Sequence, residues 1–558
     1  MQSTCRPFAL LVALFGLWPA CVLALTIPVP QARIKTAGAS LGSVWNLFTN
    51  GHVGETVRLG GAGTYTVAVR AYGSPAEGGW PNMALLVDGQ AQGSVTVGTK
   101  EMADYSLQAE IAAGVHTIAL AFTNDKIVSP KEDRNLYLAT IEIRPPAGVA
   151  EPVLVGAEEM AMEGERREQE VLKGTQADIE KNRKGDAVVR VVGPDGKPVP
   201  NAEVAVDQTQ HDFLFGCNIY MFDRYKKAEE NEAYKARFAD LFNAATTGFY
   251  WRGYEPERGE PHYAATDQVV AWCAERGIRL KGHPLLWEES YGIPAWSKGQ
   301  PAPDVQKQRV QDIVKRYSGK IEFWEVVNEP AHLRGLKIDD PYRWAREADP
   351  KAILIVNDYY VLADGFPPFF KLLQDALRDG VPFDGIGIQA HEPRTMRFPL
   401  DQVQRILTHY GTLGKPLYIS EYTPTSGGDP ITGSHRTGKW DEAAQADYAE
   451  KFYRVCFAHP AMAGITWWDL SDQGSWLRGG GMLRADLSPK PVYLALRRLI
   501  REEWHTRAEG RSDADGRFAF RGFHGTYRVT AREQGRAAAA SLHLARGGPN
   551  ELVLKLAQ

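Results

Sequence analysis

The stretch WEVVNEP, residues 324–330, decides what fold we expect of this 558-residue chain. Its apolar run ends in a carboxylate, Glu329, and a second run, LYISEY at residues 417–422, carries Glu421 close to its end. A short apolar run of this kind is typical of a parallel strand that is buried on both faces. We therefore expect each glutamate to lie where a buried strand ends.

Around these two runs, apolar segments alternate with amphipathic ones through residues 209–504. The intervening segments follow helical spacing, as residues 304–317 do. Repeated strand–helix units of this number are the pattern of a (β/α)8 TIM barrel, in which the carboxyl ends of all strands share one rim. The eight predicted strands are residues 213–219, 243–250, 278–287, 321–328, 353–358, 385–391, 417–421 and 464–469.

Two carboxylates on one barrel rim are the reactive groups of a glycosidase. Retaining cleavage places them roughly 5 to 5.5 Å apart, one as the nucleophile and one as the acid that protonates the leaving oxygen. We assign Glu421 as the nucleophile and Glu329 as the acid/base, because repulsion between close carboxylates keeps one of them protonated. Three other acidic residues are interpreted as structural: Glu322, Glu325 and Asp472.

The segments around these glutamates resemble, in order, the motifs of glycoside hydrolase family 10, whose characteristic activity is endo-β-1,4-xylanase. The resemblance implies that His283, Trp287 and Asn328 hold the sugar at the cleavage point, and that Gln389 and His391 orient the carboxylates. No cofactor is expected for cleavage. The matching segments are KGHPLLW (281–287), NE (328–329), NDY (357–359), GIGIQAH (385–391), WWDLSDQGSW (467–476) and PKPVY (489–493).

Two tryptophans of the same motifs, Trp468 and Trp476, offer flat apolar faces on which sugar rings can stack. A tryptophan at a strand end is also common in a protein core. We interpret both as substrate-binding residues.

The chain departs from the family pattern at three places. Residues 246–252 read TTGFYWR, where the family ordinarily carries a Glu, an Asn and a Lys that grip the neighbouring sugar. Glu288 stands in place of a usual His, and Thr423 in place of a usual Asp. Xylan is the leading substrate, but another β-linked plant glycan stays open, as does a polysaccharide-binding protein that has lost turnover.

Residues 25–146 differ in character from the barrel segment. They are rich in Gly and Thr, and they alternate apolar and polar residues in TYTVAV (64–69) and HTIALAF (116–122), which predicts an all-β sandwich. Further segments resemble carbohydrate-binding module family 60, and this implies a jelly roll that uses calcium to hold sugar hydroxyls. These segments are GTYTV (63–67), WPNM (80–83), VDG (87–89), AFTND (121–125) and DRNLY (133–137).

Three oxygen-bearing side chains in that module, Asn124, Asp125 and Asp133, are the candidates for binding calcium. Hard oxygen ligands in a loop suit Ca²⁺. For each residue the alternative is a solvated acidic loop.

The segments on either side of the barrel suggest a further domain. Residues 147–184 are dense in charged side chains and predict a solvated helical linker. Residues 185–208 resemble the first half of a carboxypeptidase-regulatory-like (transthyretin-like) sandwich, and residues 505–558 resemble its second half. We hypothesise one split sandwich with the barrel inserted, in which residues 188–192 and 527–530 share a sheet; the alternative is two independent β pieces.

Composition narrows the choice of partner. The net charge is only −4 and the sequence pI is near 6.4, so no electrostatic argument supports binding to nucleic acid or to an anionic membrane. A neutral plant cell-wall polysaccharide is the expected partner, and no membrane contact is expected beyond export.

The first 24 residues have the features of a signal peptide. Arg6 precedes an apolar stretch, and cleavage is expected after Ala24, which predicts a secreted or periplasmic protein. An uncleaved anchor and lipidation at Cys21 are the alternatives. The three cysteines beyond the signal show no motif spacing and are interpreted as buried thiols: Cys217, Cys273 and Cys456.

Overall fold

The computed structural model describes residues 24–129, 132–333 and 335–557. The predicted signal peptide, with Cys5 and Cys21, lies outside the described residues except for Ala24. The chain divides into two compact units, residues 1–155 and 156–558. In the described part of the chain, no helix is both long and apolar enough to cross a bilayer.

The first unit is a sandwich of two antiparallel sheets, as the sequence predicts. One sheet has the order β3-β4-β12-β6-β9 with β1 and β11 on β12, and the other has the order β13-β5-β10-β7-β8 with β2 on β5. Alternate residues of both sheets, such as Val67, Leu85 and Leu120, form one apolar core. The strands are β1 (Leu25–Pro28), β2 (Ile34–Lys35), β3 (Ala39–Leu41), β4 (Val44–Leu47), β5 (Gly51–Leu59), β6 (Gly63–Ser74), β7 (Asn82–Val87), β8 (Gln90–Thr96), β9 (Ala103–Ile111), β10 (Gly114–Phe122), β11 (Lys126–Ser129), β12 (Glu132–Arg144) and β13 (Val153–Leu154).

The second unit opens with a 27-residue helix, α1 (Ala157–Arg183). The expectation of a solvated linker is wrong, because this helix packs against the barrel. Its last residue, Arg183, is buried and donates to the carbonyl oxygens of Phe457, His459 and Met462 at 2.5–2.8 Å. A charge-dense helix can be buried in this way when its ions are paired, as Glu168 is with Arg397 and Lys451.

Two strands, β14 (Lys184–Val192) and β15 (Glu203–His211), follow α1 and lead directly into the barrel. The barrel is closed by eight parallel strands, and its first strand pairs with its last. These strands are β16 (Leu214–Asn218), β17 (Ala244–Gly248), β18 (Arg279–His283), β19 (Phe323–Asn328), β20 (Ile353–Asp358), β21 (Gly385–Ala390), β22 (Leu417–Tyr422) and β23 (Met462–Trp467).

Helices follow the strands around the barrel and cover its outer face. Every residue of β19 and β21 is buried, which is why these strands read as continuous apolar runs. The (β/α)8 barrel is therefore confirmed. The helices are α2 (Ala228–Leu241), α3 (Trp251–Tyr254), α4 (Tyr263–Glu275), α5 (Pro303–Arg316), α6 (Asp339–Ala348), α7 (Val361–Asp364), α8 (Pro367–Arg378), α9 (Leu400–Gly411), α10 (Glu442–Ala458) and α11 (Pro491–Arg498).

The third barrel strand is shorter than predicted. It ends at His283, whereas the apolar run continues to Trp287. Pro284 has no N–H to offer to the ladder, so the regular strand ends before it, although Leu286 still forms an isolated bridge with Val327 of β19. Trp287 therefore lies on a loop at the carboxyl end of the barrel.

Five more strands follow the barrel and pair with β14 and β15. In one sheet β14 lies between β25 and β28; in the other the order is β24-β15-β26-β27. The expectation that residues 188–192 and 527–530 share a sheet is wrong, because they lie in opposite sheets of this pair, and side chains from both sheets form one core. The strands are β24 (Arg507–Arg511), β25 (Arg517–Phe523), β26 (Gly525–Glu533), β27 (Arg536–Leu544) and β28 (Glu551–Lys555).

The three cysteines of the described chain are free and buried, as predicted. Burial raises the pKa of the thiols of Cys217, Cys273 and Cys456 above the ordinary value. They are packing residues and not nucleophiles.

Candidate active site

Glu329 follows the last residue of β19 and has an unusual backbone conformation. Its φ is +55°, in the left-handed region that non-glycine residues seldom adopt. Its carboxylate accepts hydrogen bonds from Trp287 Nε1 and from Gln389 Nε2, both at 3.0 Å. The carboxylate thus meets one donor from the loop after β18 and one from β21.

The pKa of Glu329 is raised to about 7, chiefly because the carboxyl group is buried. The two hydrogen bonds lower it, and the nearby carboxylate of Asp358 raises it further. Asp358 is fixed at the end of β20 by His332, whose Nδ1 lies 2.5 Å from Asp358 Oδ1. Glu329 is therefore a carboxylic acid that keeps its proton near neutral pH.

Glu421 lies on β22 with only 4% of its surface exposed. Asn357 Nδ2 is 3.5 Å from its Oε1, His283 Nε2 is 3.8 Å from the same oxygen, and His391 Nε2 is 3.5 Å from Oε2. Burial, and then the charges of Glu325 and Glu329, raise its pKa well above the usual range. Glu329 and Glu421 thus act on each other electrostatically, so that ionisation of one opposes ionisation of the other.

Gln389 and His391 connect the two carboxylates. Gln389 donates to Glu329 through Nε2, and its Oε1 lies 2.9 Å from His391 Nε2, which is the nitrogen next to Glu421. Gln389 also stands opposite Glu421 in the register of β21 and β22. The structure therefore brings Gln389 and His391 to the two carboxylates that the resemblance implies they orient.

Asn328, the last residue of β19, is buried and turned toward β20. Its Oδ1 accepts a hydrogen bond of 3.0 Å from Asn357 Nδ2, the same group that reaches Glu421. The hydroxyl of Ser420 donates to Asn357 Oδ1. Asn357 therefore holds the ends of β19, β20 and β22 in register around the two carboxylates.

A buried ion pair, Glu325 with Lys281, lies next to Glu421. Glu325 is fully buried and accepts from Lys281 Nζ at 2.6 Å and from His283 Nδ1. Burial raises the pKa of Glu325, but Lys281 and His283 outweigh it, so the pKa lies below the ordinary value. Glu325 is ionised, hence the proton of His283 is on Nδ1, and Nε2 accepts from the Tyr250 hydroxyl at 3.1 Å.

The sequence analysis missed this cluster, having interpreted Glu325 as structural. A signal for it was present, since Lys281 and His283 are two residues apart on one strand and therefore lie on the same face. Charged side chains at such positions in an otherwise apolar strand indicate an interior ion network. What the sequence could not show is that β18 and β19 align Lys281 and His283 on a single carboxylate.

The predicted aromatic residues take different positions. Trp476 is 47% exposed, and the guanidinium of Arg394 lies 4.9 Å from its ring centre, so one of its faces is available to solvent. Trp468 is 5% exposed and meets the rings of His283 and Tyr220 edge-on, at 5.3 and 5.6 Å between centroids. Trp468 therefore belongs to the wall of the site, whereas Trp476 can act as an open platform.

Tyrosine rings occupy the region where the chain departs from the family pattern on β17. Tyr220 lies against Gly248, where a Cβ atom would come within 3.2 Å of the ring. Its centroid is 6.1 Å from that of Tyr250, the partner of His283. The second departure, Glu288, has a structural use, because it accepts from the backbone N–H groups of Gly335 and Leu336.

In the first unit, the three calcium candidates are not equivalent. Both ends of the Asn124 amide are engaged, with Oδ1 accepting from Asn82 N and Nδ2 donating to Trp80 O. Asp125 and Asp133 each have a buried Oδ1 without a donor among the described residues. Burial and the charge of Asp133 raise the pKa of Asp125 to about 6.

Comparison with known proteins identifies the class to which this barrel and its carboxylates belong. Residues 207–499, more than half of the chain, match the model of glycosyl hydrolase family 10. The chain belongs to that family. Residues 66–153 match a family described as a Ca-dependent carbohydrate-binding module, xylan-binding, and form a module of that kind.

Three curated relatives illustrate the similarity. The anti-sigma-I factor RsgI6 of Acetivibrio thermocellus is 30% identical over 371 residues, which cover 64% of this chain and 46% of that protein. Endo-1,4-beta-xylanase 2 of Arabidopsis thaliana is 28% identical, covering 63% of this chain and 33% of that protein. Endo-1,4-beta-xylanase B of Thermotoga neapolitana is 29% identical, covering 47% of this chain and 82% of that protein. The chain thus spans a third to about half of the length of the first two relatives.

The hydrogen bond from Trp287 should lower the pKa of Glu329. A hydrogen bond to a charged group contributes about 1.5 kcal/mol or more, so Trp287→Phe should raise that pKa by about 1 unit above its wild-type value. Titration of ¹³C-carboxyl-labelled glutamate followed by NMR measures this shift. Trp296→Phe is the control, because its Nε1 donates to Glu255 O and not to Glu329. An unchanged Glu329 titration in Trp287→Phe would show that this bond does not set the pKa.

Proposed function

We propose that this protein is a retaining endo-β-1,4-xylanase, with Glu421 as the nucleophile and Glu329 as the acid/base. The observation that carries the proposal is the placement of two mutually repelling carboxyl groups, Glu421 buried and Glu329 half-buried, at the carboxyl ends of the fourth and seventh strands of a family 10 barrel. Several relatives are named endo-1,4-beta-xylanases, which supports xylan as the substrate.

In the first step, the Glu421 carboxylate attacks the anomeric carbon while Glu329 gives its proton to the glycosidic oxygen. The bond between that carbon and the leaving oxygen breaks, and a glycosyl ester forms on Glu421. In the second step, Glu329, now a carboxylate, takes a proton from water as the water attacks the same carbon. The ester bond breaks, and both side chains return to their starting states.

The surroundings of the two carboxyl groups suit this exchange of roles. With the ester formed, Glu421 carries no charge and no longer opposes ionisation of Glu329. The two hydrogen bonds from Trp287 and Gln389 then stabilise the Glu329 carboxylate as a base. Because the pKa of Glu329 is about 7 in the free protein, kcat/KM should decline as the pH rises through 7, where the acid loses its proton.

Substitution of each carboxylate tests the assignment. Glu421→Ala should reduce xylan hydrolysis by about 10⁴-fold or more, because no other group forms the ester. Glu329→Ala should lose about 10² to 10⁴-fold on xylan but retain attack on aryl xylosides with good leaving groups, which need no protonation. Product release measured on both substrates separates the two roles.

Glu322→Ala is the matched control. Glu322 precedes β19, the strand that Glu329 follows, but it pairs with Arg279 away from the site. It should leave hydrolysis unchanged. Full activity of Glu329→Ala on xylan would contradict the acid/base assignment, and turnover by Glu421→Ala would contradict the nucleophile.

A second candidate is a hydrolase of a different β-linked plant glycan. It is favoured by the tyrosine rings of Tyr220 and Tyr250, which stand near β17 where the family ordinarily places polar groups that grip a sugar. The mechanism would be unchanged. Product chromatography after incubation with xylan, arabinoxylan, mixed-linkage glucan and mannan distinguishes the two, and release of oligosaccharides from xylan alone favours the first.

We further propose that the N-terminal module binds xylan with the help of calcium held by Asp125 and Asp133. The matched family is calcium-dependent by its description. Buried oxygens that lack a donor suit a hard cation, and Asn135 Oδ1 is a third such atom on the same strand as Asp133. Asn124 instead supports the loop, since both ends of its amide are bonded. When bound, the ion offers coordination positions to sugar hydroxyls.

Calorimetry on the full chain tests this site. Asp125→Asn should weaken calcium binding, whereas Asp104→Asn, a substitution at a side chain that is 81% exposed, should not. The pKa of Asp125 is about 6 in the calcium-free protein, so a proton competes with the ion below that pH. At pH 5, one unit lower, competition should reduce the calcium affinity about tenfold. Equal affinity of wild type and Asp125→Asn would exclude Asp125 as a ligand.

We also propose that the protein is exported to the periplasm or the medium, supported by the charged and apolar pattern of residues 1–24. Export would bring it to plant cell-wall polysaccharide, its proposed partner. Amino-terminal sequencing of the mature protein tests this: a sequence starting at Leu25 is expected, and one starting at Met1 would contradict cleavage.

A further inference from the structure

His391 presents only one of its two ring nitrogens to the carboxylate pair. Nε2 lies 2.9 Å from Gln389 Oε1 and 3.5 Å from Glu421 Oε2. The orientation of the Gln389 amide is fixed, because its nitrogen donates to Glu329. Both neighbours of His391 Nε2 are therefore acceptors, and Nε2 must carry the proton.

The other nitrogen, Nδ1, has no hydrogen-bond partner among the described residues. Thr423, two residues after Glu421, is 1% exposed, and its hydroxyl likewise has no partner in the described part of the chain. His391 and Thr423 line the same cavity, of about 10 Å³. This volume admits one water molecule and no larger ligand.

The charges around His391 disfavour a second proton. Burial lowers its pKa to about 3, and the cations of Arg394 and, when protonated, His283 act in the same direction. Glu421 is the carboxylate that faces the ring, from β22, and it faces Nε2 and not Nδ1. On the remaining sides the ring meets uncharged groups, the indoles of Trp468 and Trp476 and the Gln389 amide.

We infer that Thr423 and one buried water molecule form a site that satisfies His391 Nδ1 and keeps His391 a neutral imidazole, which donates to Gln389 and lies beside Glu421. Thr423 is thus a positioning residue that acts through His391. A hydroxyl and a water can each donate to a bare nitrogen, but neither stabilises an imidazolium as a carboxylate would. Glu421 consequently faces a neutral imidazole on this side and no positive charge.

The consequence for hydrolysis rests on the proposed function. Burial and the charges of Glu325 and Glu329 raise the pKa of Glu421, Lys281 and the Asn357 amide lower it, and His283 and His391 lie beside its carboxylate. With a neutral His391, only Lys281 among them supplies a full positive charge, so the acidic limb of kcat/KM lies at higher pH than it would beside an imidazolium.

The first test reads the protonation of His391 directly in the substrate-free, full-length protein. In ¹⁵N-histidine-labelled protein at pH 6, with His391 assigned by the loss of its signals in His391→Asn, we expect a protonated Nε2 and an unprotonated Nδ1. In Thr423→Asp we expect both nitrogens to be protonated. A doubly protonated His391 in the wild type, or a proton on its Nδ1 alone, would overturn the inference.

Thr423→Val provides a milder change for the case in which Thr423→Asp does not fold. Loss of the hydroxyl should move the Nδ1 resonance toward that of a nitrogen with a weaker hydrogen bond, without adding a proton. The matched control is Thr425→Val, because the Thr425 hydroxyl donates to Arg478 O and has no contact with His391. Identical Nδ1 resonances in the wild type and Thr423→Val would remove Thr423 from the site.

The second test follows the pH dependence of kcat/KM. In Thr423→Asp the positive charge expected on His391 should lower the pKa of Glu421, so the acidic limb should move to lower pH by roughly 1 unit. This is the smaller end of the effect of an adjacent opposite charge, because the new carboxylate offsets part of the charge of the imidazolium. An unmoved limb together with a doubly protonated His391 would refute the link to Glu421. If the wild type did not hydrolyse xylan, the proposed function would fail while the NMR result would still decide the state of His391.

Discussion

Repulsion between two carboxyl groups that the protein shields from water is the constraint on which this active site depends. Glu329 and Glu421 project from strands that are three positions apart in the barrel, and the surrounding protein removes most of the water that would screen them. In such an environment the two groups cannot both be ionised without a large cost in free energy. Acid/base chemistry requires one protonated and one ionised carboxyl group. Shielding from water imposes this difference, and the local hydrogen bonds of each group decide which of the two keeps the proton.

A third carboxylate next to this pair, Glu325, is neutralised by a cation. Glu325 would add a third negative charge to the site, but Lys281 pairs with it at 2.6 Å and is itself almost buried. The Lys281–Glu325 pair carries little net charge. Hydrogen bonds continue from Glu325 to His283 and from His283 to Tyr250. The ion pair thus fixes the tautomer of His283 while adding little net charge at the reacting centre.

The barrel and its flanking sandwich explain how a long insertion is tolerated. The first and last barrel strands are neighbours, and at the two ends of the insertion β15 pairs with β24, with Asp207 opposite Arg507. Strands β14 and β15 precede the barrel, strands β24 to β28 follow it, and together they bury one apolar core. Helix α1 ties this arrangement to the barrel through Arg183, which donates to three backbone carbonyls.

The sequence alone determined the barrel, because buried parallel strands need unbroken apolar runs such as 353–358, and it located Glu329 and Glu421 at their ends. The run through Pro284 was overestimated, although that proline, which lacks an N–H, was a local signal for the end of the regular strand. The sequence could not show that helix α1 is packed and not solvated, that residues 188–192 and 527–530 lie in opposite sheets, or that Lys281 meets Glu325. Those features depend on strand register and on contacts between residues far apart in the chain, which local patterns do not encode. The same holds for His391, whose residue type was evident, but whose protonation depends on what folding places on each side of its ring.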